Sequence, residues 1–205
     1  MINIELIDNI KKIIDSLDKT TSWGLVMLFA TLTTALYTKK TITILGATVP
    51  KNISGIATFG ILCCINFKIF HLLQNLKSSL MLLESDREVA YMRIRLHTWT
   101  MNPFSETEGK FSLISDNFGY TLLILLWWLG AQTGFYLIQY EIADTKLIII
   151  FIFFYFVYLS LGIISMILIS ELISIICSND LYKKIKLVLT LIGIPFGLAL
   201  TFLLF

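Results

Sequence analysis

The stretch "LIIIFIFFYFVYLSLGIISMILI" (Leu147–Ile169) decides the fold class, because it carries no charge over the roughly 20 residues that a helix needs to cross a bilayer. The rest of the chain has a similar character. Of its 205 residues, 57% are hydrophobic and only 15% are charged, and the mean hydropathy is +0.82. Soluble domains carry about 25% charged residues. The sequence therefore predicts an all-α polytopic membrane protein.

Other apolar stretches extend this prediction to four or five transmembrane helices. The first candidate is short, and the second contains Asn66 and Lys68 in its last third, so both are weaker than the later ones. The candidates besides Leu147–Ile169 are Thr21–Thr38, Ile53–Leu73, Phe118–Gln139 and Leu187–Phe205.

The distribution of lysine and arginine predicts the orientation, because these residues are enriched on the cytoplasmic side. With five spans, the N-terminus, the middle segment and the last loop share one side. The opposite side holds only Lys39, Lys40, Lys51 and Lys146 of the 16 basic residues. We therefore expect the N-terminus and the middle segment in the cytoplasm.

Four segments follow from this layout. Residues 1–20 have the apolar spacing of an amphipathic helix, which would lie on the inner membrane face or pack against another part of the protein. Residues 21–73 form the first membrane pair, residues 74–117 a cytoplasmic insert, and residues 118–205 the C-terminal membrane helices.

The insert is expected to contain a helix and a β-hairpin. From Gln74 to about Glu84 the apolar residues keep helical spacing, so the second span should continue as a stalk. Met92, Ile94 and Leu96 then alternate with polar residues, as in a half-buried strand. The stretch "NPFSETEG" offers turn residues, and "KFSLIS" could be the returning strand.

The outward face of the predicted strand would present a basic and aromatic row suited to lipid headgroups, a phosphorylated small ligand or an acidic protein surface. Alternatively, it is a solvated face paired with Glu106, Glu108 or Asp116. The mixed charge of the insert favours protein docking. The candidate partner-binding residues are Tyr91, Arg93, Arg95, His97 and Trp99.

Two glycine pairs are candidates for close helix packing. "GAQTG" places Gly130 and Gly134 on one helical face with the polar Gln132 between them, and "GIPFG" does the same with Gly193 and Gly197. Small residues at this spacing let helix backbones approach closely in lipid. The contacts could lie within one subunit or between subunits of a homo-oligomer.

Catalytic chemistry is not indicated. His71 and His97 are the only histidines, and neither has a second His or Cys at metal-ligand spacing. Motifs for nucleophilic hydrolases, zinc proteases and nucleotide-binding loops are absent from the sequence. Glu171 is expected near the membrane interface. The sequence predicts no enzyme, no metal and no cofactor, and the net charge of +2 argues against a direct nucleic-acid partner.

The arrangement of a cytoplasmic N-terminus, several spans and one insert, "SDREVAYMRIRLHTWTMNPFSETEG", resembles the membrane subunits of bacterial anti-phage defence systems, most nearly that of Kiwa. The resemblance implies a homo-oligomeric sensor in the bacterial inner membrane that holds a cytoplasmic effector. The Kiwa subunit has four spans, so a count of five departs from it.

The sequence thus favours a non-catalytic sensor and scaffold that oligomerises in the bilayer and docks a cytoplasmic effector protein. The second hypothesis is an oligomeric ion channel or membrane-depolarising effector, although no span shows the polar stripe that a pore prefers.

Overall fold

The protein is built from long helices and one short hairpin in the computed structural model, which describes residues 2–36, 41–44, 47–83, 87–106, 112–140 and 145–203. Strands β1 (Thr41–Ile44) and β2 (Ala47–Pro50) pair antiparallel between the first two helices. The helices are α1 (Ile2–Leu36), α2 (Lys51–Leu82), α3 (Arg87–Arg95), α4 (Ser112–Tyr140), α5 (Thr145–Ile176) and α6 (Asp180–Leu203).

Three helices of the described chain are long and apolar enough to cross a membrane. They cover Ile53–Leu82 in α2, Asp116–Leu137 in α4 and Ile148–Ile176 in α5. Each contains most of a span predicted from the sequence, so the helical fold and three helices suited to a membrane by length and composition are confirmed. Helices α1 and α6 run through the first and last predicted spans as far as they are described, but neither is among the three. A total of four or five spans therefore stays a prediction.

The pair α1 and α2 is longer than the hydrocarbon core. Their 35 and 32 residues correspond to about 52 and 48 Å, against a core of about 30 Å. The first half of α1 exposes charged residues such as Glu5, Asp8 and Lys12, which hydrocarbon would exclude. About 20 Å of the pair therefore exceeds the length that a bilayer core would cover, at the end that carries these charges. Helix α2 continues to Leu82, which confirms that the helix runs on past the predicted span; its place in the cytoplasm stays a prediction.

Aromatic rings and one amide hold α2, α4 and α5 together. The Phe59 ring lies 4.9 Å from that of Phe151 and 5.4 Å from that of Tyr158. Asn66 is 2% exposed; its Oδ1 accepts a bond from Trp127 Nε1 at 2.8 Å, and its Nδ2 donates to the Tyr158 carbonyl at 3.1 Å. A buried polar side chain without partners would be costly here, so these bonds make Asn66 a specific helix contact.

The predicted hairpin of the insert is wrong. Residues Arg87–Arg95 form α3, residues 96–106 follow as an irregular connector with turns, and Ser112–Ser115 already belong to α4. Residues 107–111 lie outside the described part. The hairpin that the chain does form, β1 with β2, lies at the opposite end of the α1–α2 pair.

The reason for this error is that a short alternating pattern also fits a helix. Ala90 and Ile94, four residues apart, are fully buried, whereas Met92 and Leu96 are exposed by more than half. Neighbours at i and i+4 share one helical face, and α3 packs against α1 and α5. Tertiary contact therefore overrides the apparent strand period.

We call the charged end of the α1–α2 pair, together with the elements around it, the cap. It comprises α3, the 96–106 connector, the start of α1 and of α6, and the end of α2 and of α5. Helix α4 starts beside the connector with very little space. A Cβ on Gly119 would lie 2.7 Å from the Thr100 carbonyl oxygen. Since that oxygen belongs to the backbone and cannot rotate away, glycine is required for this approach.

Candidate functional site

The connector of the cap is shaped by Asn102. Its Nδ2 donates to the Ile94 carbonyl at 2.8 Å and to the His97 carbonyl at 3.3 Å, and its Oδ1 accepts from the Phe104 N–H at 2.9 Å. The Ile94 carbonyl belongs to the last turn of α3, where helical partners run out. Asn102 therefore satisfies the end of α3 and fixes the turn that follows, in the Asn-Pro dipeptide that the sequence marks as a turn.

Glu106 fastens the connector to the α5–α6 junction. Its Oε2 accepts from the Ser178 N–H at 3.0 Å and from the Ser178 hydroxyl at 2.8 Å, while Oε1 accepts from the Asn179 N–H at 3.1 Å. Arg95 Nη1 lies 3.4 Å from Oε2. Burial raises the pKa of this carboxyl, but the bonds from Ser178 and Asn179 and the charge of Arg95 outweigh it, so the pKa is lowered. We call this group the Glu106 latch.

A buried lysine ties the connector to α6 and α4. Lys186 is fully buried, and its Nζ donates to the Ser105 carbonyl at 2.7 Å. The Ser105 hydroxyl in turn donates to Asp116 Oδ1 at 2.7 Å. Desolvation lowers the pKa of Lys186, and nearby groups that include Asp116 and Glu106 offset part of this effect. The Ser105 backbone thus supplies a direct partner for an otherwise costly buried cation.

The connector is also fastened along α1. His97 Nε2 lies 2.9 Å from Asp15 Oδ1, and Trp99 Nε1 donates to the Thr21 hydroxyl at 2.8 Å. The Thr100 N–H donates to an Asp18 carboxylate oxygen at 3.3 Å. These three bonds fasten the start of the connector to the stretch of α1 from Asp15 to Thr21.

An open apolar groove of about 540 Å³ lies between α1 and α3. Its volume falls within the range of about 300–1,000 Å³ that is typical of ligand sites. Three basic side chains line the groove, and no acidic side chain does. The apolar lining residues are Ile7, Ile10, Ile14, Ala90, Met92 and Leu96, and the basic ones are Lys11, Arg93 and His97. We call this feature the α1–α3 groove.

The five residues predicted to bind a partner do not form one outward row. On a helix, residues two apart point in different directions. Arg93 is exposed and lines the groove together with the partly exposed His97. Arg95 keeps only 12% of its side chain exposed and serves the Glu106 latch, as the alternative of pairing with Glu106 anticipated. Trp99 is 4% exposed, and Tyr91 is half-buried.

Gly130 and Gly134 lie against the other helices of the same chain. A Cβ on Gly134 would be 2.6 Å from Phe59 Cζ in α2, and a Cβ on Gly130 would be 2.7 Å from Tyr158 Cζ in α5. The predicted close packing at this pair is therefore found within one subunit. Gln132 is half-buried beside them.

The second predicted packing pair is Gly193 with Gly197. Gly193 and Gly197 lie within α6, and the surroundings of both lie outside the described part. Glu171, which was expected near the interface, pairs with Lys77 at 2.5 Å.

Several residues of the cap were missed in the sequence. The signal for Ile7, Ile10 and Ile14 was present as the amphipathic spacing of residues 1–20, and packing against the same protein was one of the two alternatives it left open. The turn at Asn102 had a signal in the Asn-Pro dipeptide, but its bonds to the Ile94 and His97 carbonyls did not. The role of Lys186 had no sequence signal, because its partner Ser105 lies far along the chain.

In the described ranges, no three His, Cys, Asp or Glu side chains are grouped as a metal site would require. The absence of a metal and of a cofactor stays a prediction. Neither protein-family models nor curated proteins nor solved structures match this chain.

Proposed function

We propose that this protein is a non-catalytic membrane scaffold that docks a cytoplasmic effector protein on its cap. The observation that carries the proposal is the α1–α3 groove, an apolar groove of the cap at which Met92 and Leu96 are more than half exposed. Concave sites with an apolar lining and a few polar groups are common binding sites.

The position of the groove distinguishes it from the lipid-facing surface. Ile7 and Ile14 precede the first predicted span, which begins at Thr21, by about 21 and 10 Å of helix. The charged side chains of Asp15 and Asp18 lie between them and that span. Exposed apolar residues of the spans can be covered by acyl chains, whereas Met92 and Leu96, 54% and 59% exposed, need another cover.

The biological setting follows from the sequence. The lysine and arginine distribution places the cap in the cytoplasm, and the resemblance to anti-phage membrane subunits implies a sensor in the bacterial inner membrane with a cytoplasmic effector. Both belong to the proposal. The partner sought first is accordingly the cytoplasmic protein encoded beside this one.

The test is co-purification of that neighbouring protein with the tagged, full-length chain in detergent. Met92→Asp places a charge in the groove and should reduce the co-purified amount about tenfold or more, since a buried unpaired charge is strongly unfavourable at an interface. Arg93→Glu should also reduce it, because the rim would lose its positive charge.

Leu181→Asp is the matched control. Leu181 is 57% exposed in the cap, close to the 54% of Met92, but does not line the groove. It should leave co-purification unchanged. Equal retention of the neighbour by the Met92, Arg93 and Leu181 variants would overturn the proposal. Arg95→Ala and Trp99→Ala are unsuitable probes, because both side chains stabilise the cap itself.

Reconstitution separates the scaffold from the channel hypothesis. The scaffold predicts that purified protein alone passes no more ions across liposomes than protein-free liposomes do, whereas a channel predicts flux. The polar groups described between α2, α4 and α5, such as Asn66 and Trp127, bond each other rather than standing apart along a face.

Homo-oligomerisation is the remaining part of the proposal. Helix α5 exposes Ile149, Ile150, Phe153 and Phe156, a surface that lipid or a second copy could cover. Native mass spectrometry of the protein released from lipid nanodiscs gives the subunit number directly, and a monomer under all protein-to-lipid ratios would remove oligomerisation from the proposal.

A further inference from the structure

The walls of the α1–α3 groove limit how a protein can bind there. One wall is α1, and the other is α3 with the first residues of the connector. None of the residues that line the groove belongs to a β-strand, so an added strand has no strand edge there to pair with. On α1 the lining residues Ile7, Ile10, Lys11 and Ile14 follow the i, i+3, i+4, i+7 spacing of one helical face. The face is about 10 Å long, which is two helical turns.

A third helix fits these walls. The apolar anchors of an amphipathic helix at i, i+3, i+4 and i+7 also span about 10 Å, and they would meet the half-buried Ile7 and the exposed Met92 and Leu96. The buried Ile10 and Ile14 form the floor beneath them. Such packing would exclude water from side chains that the free protein leaves exposed.

The charges around the groove specify the flanks of that helix. Lys11 and Arg93 are exposed and line the groove. His97 lines it too, but its Nε2 is engaged by Asp15. The Asp15 carboxylate therefore offsets the charge of His97, and Lys11 and Arg93 are the cations of the lining that can pair with negative groups on an incoming partner.

We propose that the α1–α3 groove binds an amphipathic helix of the partner protein, with an apolar stripe in the groove and acidic residues on both flanks facing Lys11 and Arg93. This proposal rests on the proposed docking function and specifies its occupant.

Fluorescence anisotropy with designed peptides tests it without a known partner. The probe is a fluorescein-labelled helix of about four turns with Leu at i, i+3, i+4 and i+7 and Glu on both flanks. The comparison peptides carry Lys in place of Glu, or the same residues in scrambled order. The full-length protein is held in nanodiscs of zwitterionic phosphatidylcholine, and empty nanodiscs give the background from lipid binding.

The acidic helix should bind about tenfold tighter than its basic counterpart and than the scrambled peptide. The double variant Lys11→Glu/Arg93→Glu should invert the preference between acidic and basic peptides. Lys12→Glu is the control: Lys12 is exposed on α1 next to Lys11 but does not line the groove, so it should change affinity by less than about twofold.

Three results would overturn the proposal: equal binding of acidic and scrambled peptides, a preference that persists in the double variant, or binding that empty nanodiscs reproduce. These failures differ from failure of the docking function. If Met92→Asp abolishes co-purification of the neighbouring protein while the peptides do not discriminate, the cap docks a protein in another conformation. If Met92→Asp leaves co-purification intact, the docking function itself fails.

Discussion

Replacing Glu106 by Gln should open the cap locally. The carboxylate accepts two N–H bonds and one O–H bond of 2.8–3.1 Å at the α5–α6 junction, and it lies 3.4 Å from Arg95. Only 9% of its side chain is exposed. Hydrogen bonds to a charged group contribute about 1.5–3 kcal/mol each, against about 1 for neutral pairs, and the Gln amide would also face donors with its own N–H₂. We expect a loss of about 3 kcal/mol from the free energy that keeps the latch closed.

Cys177 reports this opening. It precedes Ser178, is 2% exposed, and its Sγ lies 3.9 Å from the Phe104 carbonyl oxygen. Desolvation raises the pKa of its thiol to about 11, so the closed cap holds an inaccessible and unreactive thiol at pH 7.5. Pulse labelling with a maleimide in a Cys63→Ala/Cys64→Ala background measures how often the cap opens. A change of about 3 kcal/mol raises the labelling rate about a hundredfold if closing is faster than labelling.

Glu88→Gln is the matched control, because it also removes a carboxylate from Arg95. Glu88 lies 3.6 Å from Arg95 Nη2 but has 82% of its side chain exposed, and exposed ion pairs contribute little. Its labelling rate should stay within about threefold of the parent. A Glu106→Gln rate no faster than that of Glu88→Gln would refute the latch as a contributor to cap stability.

Three further predictions concern stability in detergent, measured by thermal unfolding. Gly134→Ala should lower stability by about 1–3 kcal/mol because its Cβ would collide with Phe59, whereas Gly60→Ala, which has open space for a Cβ, should not lower it. Trp99→Phe should cost about 1 kcal/mol through loss of the indole N–H bond to α1, and unchanged unfolding would show that this bond is dispensable. The pKa of Glu106 is lowered in the folded protein, so the parent should be more stable than Glu106→Gln by a margin that is fully present above pH 4.5, the ordinary pKa. This stability difference should disappear as the pH falls through the lowered pKa. A stability difference that is independent of pH would contradict the role given to the Glu106 carboxylate.

Most of the membrane fold could be predicted from the sequence. Long uncharged runs specify helices whatever the details of packing, because lipid offers backbone groups no other partner. The continuation of α2 to Leu82 and the close packing of Gly130 and Gly134 were also predictable, because both depend on the spacing of residues within one helix. The insert was not, because its alternation over a few residues fitted both strand and helix until the burial of Ala90 and Ile94 decided between them.

The candidate site likewise has features that the sequence alone predicts and features that only the tertiary structure shows. The sequence by itself determined that residues 1–20 carry an apolar helical face and that Arg93 and His97 belong to a basic segment, because both properties are local. Only the tertiary structure decided that this face and this segment form opposite walls of one groove, and that Arg95 and Trp99 stabilise the cap instead of facing a partner. The role of Trp99 depends on Thr21, which lies in α1, and one sequence read alone carries no record of that contact. The pairing of Arg95 with Glu106 was an alternative that the sequence left open, and the structure decided for it.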